Sequence, residues 1–256
     1  MPSAKPESWL TRLTASIASS RVAGVRGSNF VQLATCDATG APHNRTVVFR
    51  GFLEAPTLRG TAALRFITDA RSAKVQHGRR AELCWWFGHS SEQFRVAGEL
   101  QFVGEGGAVE SGGDSAVEES AERQAELSTA RQAAWVKLSD PAREQFFWRA
   151  PGLVLDADGA GAGGAGAGAG NSAAADGAAA GGAAAGEGAG AGGVPPGGRV
   201  AEGARKGELL PPPPTFLLML LWPTRCDSLC LTDNRRRLDA LDEGSGQWAA
   251  SLDVTP

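Results

Sequence analysis

Tyrosine is missing altogether from the 256 residues, although tryptophan numbers seven; no physical reason for that imbalance is evident. An excess of positive charge is missing too: 25 Lys and Arg against 28 Asp and Glu leave a formal net charge of −3. That balance gives no support to nucleic-acid binding, which leaves a basic imprint. The three histidines, His43, His77 and His89, lack metal-ligand spacing. The four cysteines, Cys36, Cys84, Cys226 and Cys230, contain no Cys-x-x-Cys pair, so buried free thiols and a reducing compartment are expected rather than a zinc site. The longest apolar run, Phe216 to Trp222, is far too short to span a bilayer. The N-terminus lacks the apolar core of a signal peptide. Its Ser, Arg and Ala content up to Gly27 loosely suggests an organellar transit segment. Trp9, Leu10, Leu13 and Ile17 nevertheless fall on one helical face, the pattern of a mature opening helix. A cytoplasmic location is the expectation, and a plastid or other organelle is compatible with it.

What is present suits a soluble globular fold: 42% hydrophobic and 21% charged residues. Two apolar runs, Phe30 to Asp37 and Arg45 to Phe52, flank Ala38 to Asn44, where Gly40 and Pro42 favour a turn. They read as an antiparallel hairpin. Val47, Val48 and Phe49 are consecutive apolar residues, as in a strand covered on both faces. Arg45 and Arg50 bracket them, and such arginines are costly unless paired or met by an anion. Leu64 to Thr68, Glu82 to Phe87 and Gln93 to Val103 read as further strands, and Asp69 to His77 as a short helix capped by Asp69. Gly104 to Gly113 reads as a loop, Glu118 to Lys137 as a helix, and Ser139 to Trp148 as a second with Pro141 in its first turn. Trp135, Phe146, Phe147 and Trp148 supply an aromatic packing surface. Phe216 to Trp222 reads as a buried strand, Asp227 to Leu231 as the next and Trp248 to Val254 as the last. Short strands with few helices among them argue for an antiparallel barrel.

From Asp158 to Gly198 the composition becomes Gly and Ala with almost no large side chains. Such a segment buries too little apolar surface to offset its ordering entropy and is expected to be a disordered insertion. Pro211 to Pro214 extend it as a stiffer spacer. Gly161-x-Gly163-x-x-Gly166 matches a dinucleotide fingerprint formally, but neither the strand nor the helix that the fingerprint needs is there. The expected organisation is a main part at 7–152, a low-complexity insertion at 153–214, and C-terminal strands at 215–256 that complete the same domain.

The words LATCDATGAPHNRTVVFRGF, LRFITDARSAK, EQFRVAGEL and AAWVKLSDPAREQFFW, in this order, resemble the pyridoxamine 5'-phosphate oxidase family, most closely its cyanobacterial and plant-type branch. The resemblance implies a mainly β fold with flanking helices, an FMN-binding split β-barrel, and a homodimer that builds each flavin site from two chains. By position in the motifs, Arg45, Thr46, Val47 and Val48 correspond to the strand along the flavin. Arg50 stands where the oxidase has lysine near flavin and substrate. Thr68, Ser72 and Lys74 correspond to phosphate-side and ribityl contacts, and Gln93 and Ser139 to flavin contacts.

The departures concern the phosphate arginine and the substrate. Ala73 stands where the oxidase has arginine before the phosphate lysine, and Arg71 is the expected replacement. Leu138 stands where the family has glutamine. The C-terminal Arg-x-His that holds the vitamin B6 phosphate reads Asn234-Arg-Arg-Arg-Leu238 here, so Arg235, Arg236 and Arg237 are the substrate-phosphate candidates, with Arg50. The resemblance thus implies FMN-dependent oxidation of pyridoxine or pyridoxamine 5'-phosphate with oxygen. A reductase or other oxidoreductase on the same barrel, and a flavin-binding module without turnover, are the alternatives. The expected partners are a small molecule and a second copy of the chain, with no nucleic acid and no membrane.

Overall fold

A computed structural model describes residues 8–53, 62–111, 120–153, 211–242 and 244–256. Helix α1 (Trp9–Val22) begins where the Ser8 hydroxyl accepts the Thr11 N–H. Its Trp9, Leu13 and Ile17 are buried, the face that the sequence periodicity marks. Strands β1 (Phe30–Cys36) and β2 (Pro42–Val48) form the expected hairpin, with Leu33 opposite Arg45. The turn is shorter than Ala38 to Asn44. The Asp37 carboxylate accepts the N–H groups of Thr39 and Ala41, and Gly40 takes a left-handed φ of 86°, so pairing starts at Pro42.

The remaining strands are β3 (Phe52–Leu53), β4 (Ala63–Asp69), β5 (Arg80–Phe87), β6 (Glu92–Gly104), β7 (Gly107–Val109), β8 (Phe216–Cys230), β9 (Arg235–Ala240) and β10 (Leu252–Val254). They pair antiparallel in the order β10-β9-β8-β6-β5-β1-β2, with β4 on β8, β3 on β4 and β7 on β6. Inside lies one large apolar cluster that includes Val47, Phe49, Phe66, Trp85, Phe94 and Met219.

Helix α2 (Ala121–Val136) covers the outer face of β4, β6 and β8, where Ala63, Val103, Leu218, Leu220 and Trp222 meet Leu127 and Ala130. Leu217, Met219 and Leu221 face the barrel interior instead. The run from Phe216 to Trp222 is therefore apolar throughout because both of its faces are covered. Trp135, Phe146 and Phe216 form a third cluster, with Phe147 against it and α3 (Asp140–Glu144) beside it.

The structure corrects four sequence-based expectations. Phe216 to Trp222 and Asp227 to Leu231 are one 15-residue strand, because a register irregularity at Ala97/Gly98 accommodates Pro223 without ending the pairing. Asp69 does not cap a helix; its carboxylate takes the Arg71 N–H and guanidinium, and only a 3-10 turn follows at Ala73–Gln76. The loop expected from Gly104 contains β7, which folds back on β6 through Gly107 at φ 112°. Between the strands expected at Asp227 to Leu231 and at Trp248 to Val254, Arg235–Ala240 forms a further strand. The Gly/Ala segment at 158–198, its formal fingerprint and most of the interval 153–214 lie outside the described residues.

Candidate functional site

The strand that carries most of the candidate residues is β2, and what distinguishes it is an edge. It pairs with β1, while its other side faces β4, which pairs with β3 and β8. The Phe49 N–H bonds Asn29 on the β1 side, and the next N–H, that of Arg50, bonds the Arg65 carbonyl on the β4 side. Backbone direction alternates along a strand, so Thr46 and Val48 turn their N–H and C=O groups toward β4. That gap in the barrel presents main-chain donors and acceptors suited to a flat polar ligand.

Beyond the end of β4 stands a cation among hydroxyls. Lys74 is 7% exposed, Ser72 8% and Thr68 4%. The Lys74 ammonium donates to Thr68 Oγ1 at 3.2 Å and to the Ser72 hydroxyl. The chain reaches this arrangement because Ser72 directly precedes the 3-10 turn that carries Lys74. An ammonium beside two hydroxyls is a donor set suited to a phosphate monoester.

Arg71 lies at the rim, and its guanidinium is committed. It donates from Nε and Nη2 to the Asp69 carboxylate at 2.9 and 2.6 Å, and from Nη1 to the Trp148 carbonyl at 2.8 Å. The Asp69 bond holds its pKa above the usual arginine value despite burial. Arg71 thereby joins the end of β4 to the segment after α3.

The two arginines of the β2 motif part company. Arg45 is 7% exposed and turns inward, donating to the Leu33 carbonyl at 3.2 Å and to Thr35 Oγ1 at 2.7 Å. That hydroxyl also meets His77 Nδ1 at 2.7 Å. Arg50, past the strand end, is half-buried, its Nε has no hydrogen-bond partner, and burial lowers its pKa. Arg65 shows the same two features.

On the outer face of the sheet, Val48 lies opposite Phe30. Gln32 is opposite Cys84, so Phe30 and Trp86 come two residues further along the same two strands. Trp86 is opposite Gln93, Gln93 opposite Leu229, and Leu229 opposite Arg236. The row thus crosses six strands and includes Val48, Gln93 and Arg236. Phe30 and Trp86 stand in it 42% and 47% exposed. Sequence reasoning did not single them out, since exposed strand aromatics look like core aromatics until the register is known.

Strand alternation also divides Arg235, Arg236 and Arg237. Arg236 joins Asp227 on the outer face with bonds of 3.0 and 2.9 Å, and Arg95 pairs with the same carboxylate. Arg236, then burial working against it, then Arg95 set the Asp227 pKa, and the net result lies below the usual carboxylate range. Arg235 and Arg237 turn the other way, reach Asp253, and line a cavity of about 130 Å³ with Arg12, Glu92 and Ser228. Ser139 is exposed and precedes α3 without a side-chain cap bond. All four cysteines are free; Cys226 is buried and its thiol is pushed up to about 12, whereas Cys36 is exposed, against expectation. Among the described residues no group of His, Cys, Asp and Glu forms a metal site, and no helix is long and apolar enough to cross a membrane.

Residues 6–104 match the model of the pyridoxamine 5'-phosphate oxidase FMN-binding domain. Pyridoxine/pyridoxamine 5'-phosphate oxidase 2 of Arabidopsis thaliana is 42% identical over 79 residues, which are 30% of this chain and 37% of that protein. The chain therefore spans little more than a third of that curated relative. A pyridoxamine 5'-phosphate oxidase-related, FMN-binding protein from Nostoc punctiforme superposes with a TM-score of 0.64 at 29% identity, covering 98% of each chain. PhzG from Burkholderia lata, solved with tetrahydrophenazine-1-carboxylic acid, superposes with a TM-score of 0.59 at 17% identity, over 100% of this chain and 94% of that one, and so shares the fold.

Proposed function

The chain belongs, through residues 6–104, to the FMN-binding family of pyridoxamine 5'-phosphate oxidase, and from that premise we propose that it oxidises pyridoxine or pyridoxamine 5'-phosphate with oxygen. The observation that carries the reading is the buried Lys74–Ser72–Thr68 group beside the open edge of β2. These residues fit FMN: the ammonium and hydroxyls would take its phosphate, and Thr46 and Val48 would meet the flavin edge through their backbone groups. Bound FMN supplies the two-electron acceptor, and the protein supplies binding, orientation and electrostatics. Arg45, fixed by Leu33 and Thr35, adds positive charge behind the strand. Arg50, with an Nε that no group among the described residues satisfies, is suited to an oxyanion of the substrate or the cofactor. Arg71 steadies the end of β4 through Asp69.

Gln93 supports a site made by two copies of the chain. It stands three strand spacings from Val48 along the sheet, roughly 14 Å. That is too far for one flavin lying along β2 to meet both edge-on, whereas a second copy packed on the outer face brings its own Gln93. Phe30 and Trp86 are the apolar anchors for such packing.

A second reading, an FMN oxidoreductase acting on another substrate, is favoured by β9, which carries no histidine and points Arg236 away from Arg235 and Arg237. The experiment is direct. Purified protein should be yellow and release FMN on denaturation, and aerobic addition of pyridoxine 5'-phosphate should yield the aldehyde. Flavin without turnover of either B6 phosphate moves the assignment to the second reading; a colourless protein that does not take up FMN overturns both.

A further inference from the structure

Arg65 holds Arg50 and Gly51, just past the end of β2, through three hydrogen bonds. The Arg50 N–H bonds the Arg65 carbonyl at 2.8 Å, and the Arg65 N–H bonds the Gly51 carbonyl at 2.9 Å. The Arg65 guanidinium then crosses back and donates from Nη2 to the Arg50 carbonyl at 3.1 Å. It crosses over Gly51, and a Cβ there would lie 2.9 Å from Nη2. Gly51 also has a φ of 109°, a conformation that side-chain-bearing residues rarely adopt. Residues 50 and 51 are thus shaped to receive this guanidinium.

The electrostatics are unusual for a structural contact. Burial is the one cause acting on the pKa of either Arg50 or Arg65, with no carboxylate raising it. Each keeps a buried Nε without a hydrogen-bond partner. Arg71, Arg95 and Arg236, by contrast, are each joined to a carboxylate. A desolvated cation without a carboxylate partner is costly, and an oxyanion from a ligand would offset that cost. Of Arg50 and Arg65, Arg50 is the one whose side chain has no hydrogen bond among the described residues, so the ligand contact falls to it. Arg65 has given its Nη2 to the Arg50 carbonyl.

We propose that Arg65 is a positioning residue: its clamp on Arg50 and Gly51 fixes the Arg50 guanidinium for an oxyanion of the bound substrate. The proposal rests on the reading of Arg50 as an anion contact. Arg65 touches neither ligand itself. Its effect passes through Arg50 and concerns phosphorylated ligands, not the flavin phosphate at Lys74.

A double-mutant cycle on the FMN-loaded protein tests this, with binding of pyridoxal 5'-phosphate read from the change in flavin absorbance and unphosphorylated pyridoxal as control. Arg50→Met should weaken pyridoxal 5'-phosphate by about tenfold or more, the loss of one charged hydrogen-bonded contact. Arg65→Met should weaken it by roughly three- to tenfold alone and by almost nothing in the Arg50→Met background, because one route serves both. Arg65→Lys, which keeps one donor, should recover part of the loss. FMN affinity, measured by fluorescence quenching on the apoprotein, should stay within about twofold for Arg65→Met, since the Lys74 group is untouched. Additive losses would make Arg65 an independent contact and overturn the proposal. Loss with Arg50→Met but none with Arg65→Met overturns it too, while sparing the reading of Arg50. No loss with either variant removes that reading itself. An equal fall in pyridoxal binding, FMN affinity and apoprotein Tm would assign Arg65 a purely structural role.

Discussion

At the scale of single residues, the grouping of Lys74 with Ser72 and Thr68 was legible and its surroundings were not. The word that runs from Asp69 to Lys74 marks Ser72 and Lys74, and the structure brings both to Thr68. Arg71 was the expected substitute for the missing arginine at Ala73. Its engagement with Asp69 could not be read, because two residues of opposite charge two positions apart say nothing about which way their side chains turn. Lys74 gives the cleanest measurement. Its charge-assisted bond to a phosphate is worth about 1.5–3 kcal/mol, so Lys74→Ala should weaken FMN by roughly ten- to a hundredfold. Lys137, exposed at the end of α2, is the control of like charge. Titration of the apoproteins with FMN should separate the two variants, and equal affinities for Lys74→Ala, Lys137→Ala and wild type would move the phosphate elsewhere.

At the scale of elements, most strands were visible from their apolar runs, and the exceptions share a cause. Pro223 and Arg225 break the apolar pattern of β8, so one long strand looked like two. The long strand persists because β6 yields opposite the proline. Gly98 pairs with Pro223, and a Cβ there would lie 2.0 Å from the Trp222 carbonyl oxygen. Gly98→Ala must therefore push two strands apart, and overpacking of this kind costs about 1–3 kcal/mol or more. Chemical denaturation should show that loss, while Gly78→Ala, where a Cβ meets nothing within 4 Å, should be nearly silent.

β9 escaped notice because Arg-Arg-Arg-Leu-Asp has no apolar alternation, and only its ion pairs reveal its two faces. They also predict a pH dependence. Asp227 has a folded pKa below its unfolded value, chiefly through Arg236. The stability it contributes is thus complete above the unfolded carboxylate pKa, about 4, and is lost as pH falls through the lower folded value. Thermal melts between neutral pH and pH 3 should show a smaller acid-induced drop for Asp227→Asn than for wild type, from a lower starting Tm.

At the scale of the whole molecule, the sequence divides into a barrel and an interruption, and the described residues on both flanks of the interruption are anchored. Before it, the Trp148 carbonyl accepts Arg71, and the Phe146 carbonyl accepts the hydroxyl of Thr215, which lies after it, so that one bond ties the two flanks together. After it, Arg131 donates to the carbonyls of Pro213 and Phe216. Loop-closure entropy changes slowly with length. Replacing residues 159–198 by a short Gly/Ser linker should accordingly leave flavin content and Tm nearly unchanged, and a large fall in either would give the segment a structural role.

The assembly is the remaining question at this scale, and the outer sheet face frames it. The row from Val48 to Arg236 collects residues that lie far apart along one chain's sheet, whereas the resemblance implies that Val48 and Gln93 serve one flavin. The proposed packing of two copies on this face would reconcile the sheet distance with the motif, with Phe30 and Trp86 at the centre of the contact. A charge placed there should prevent the packing, because burying an unpaired carboxylate costs more than a peripheral contact returns. Trp86→Glu should sediment as a monomer and lose FMN affinity together with the dimer, although Lys74, Ser72 and Thr68 are unaltered. Val22→Glu, at a position 90% exposed on the last turn of α1, should keep both. Wild-type protein that sediments as a monomer while retaining FMN would instead place the whole flavin site within one chain.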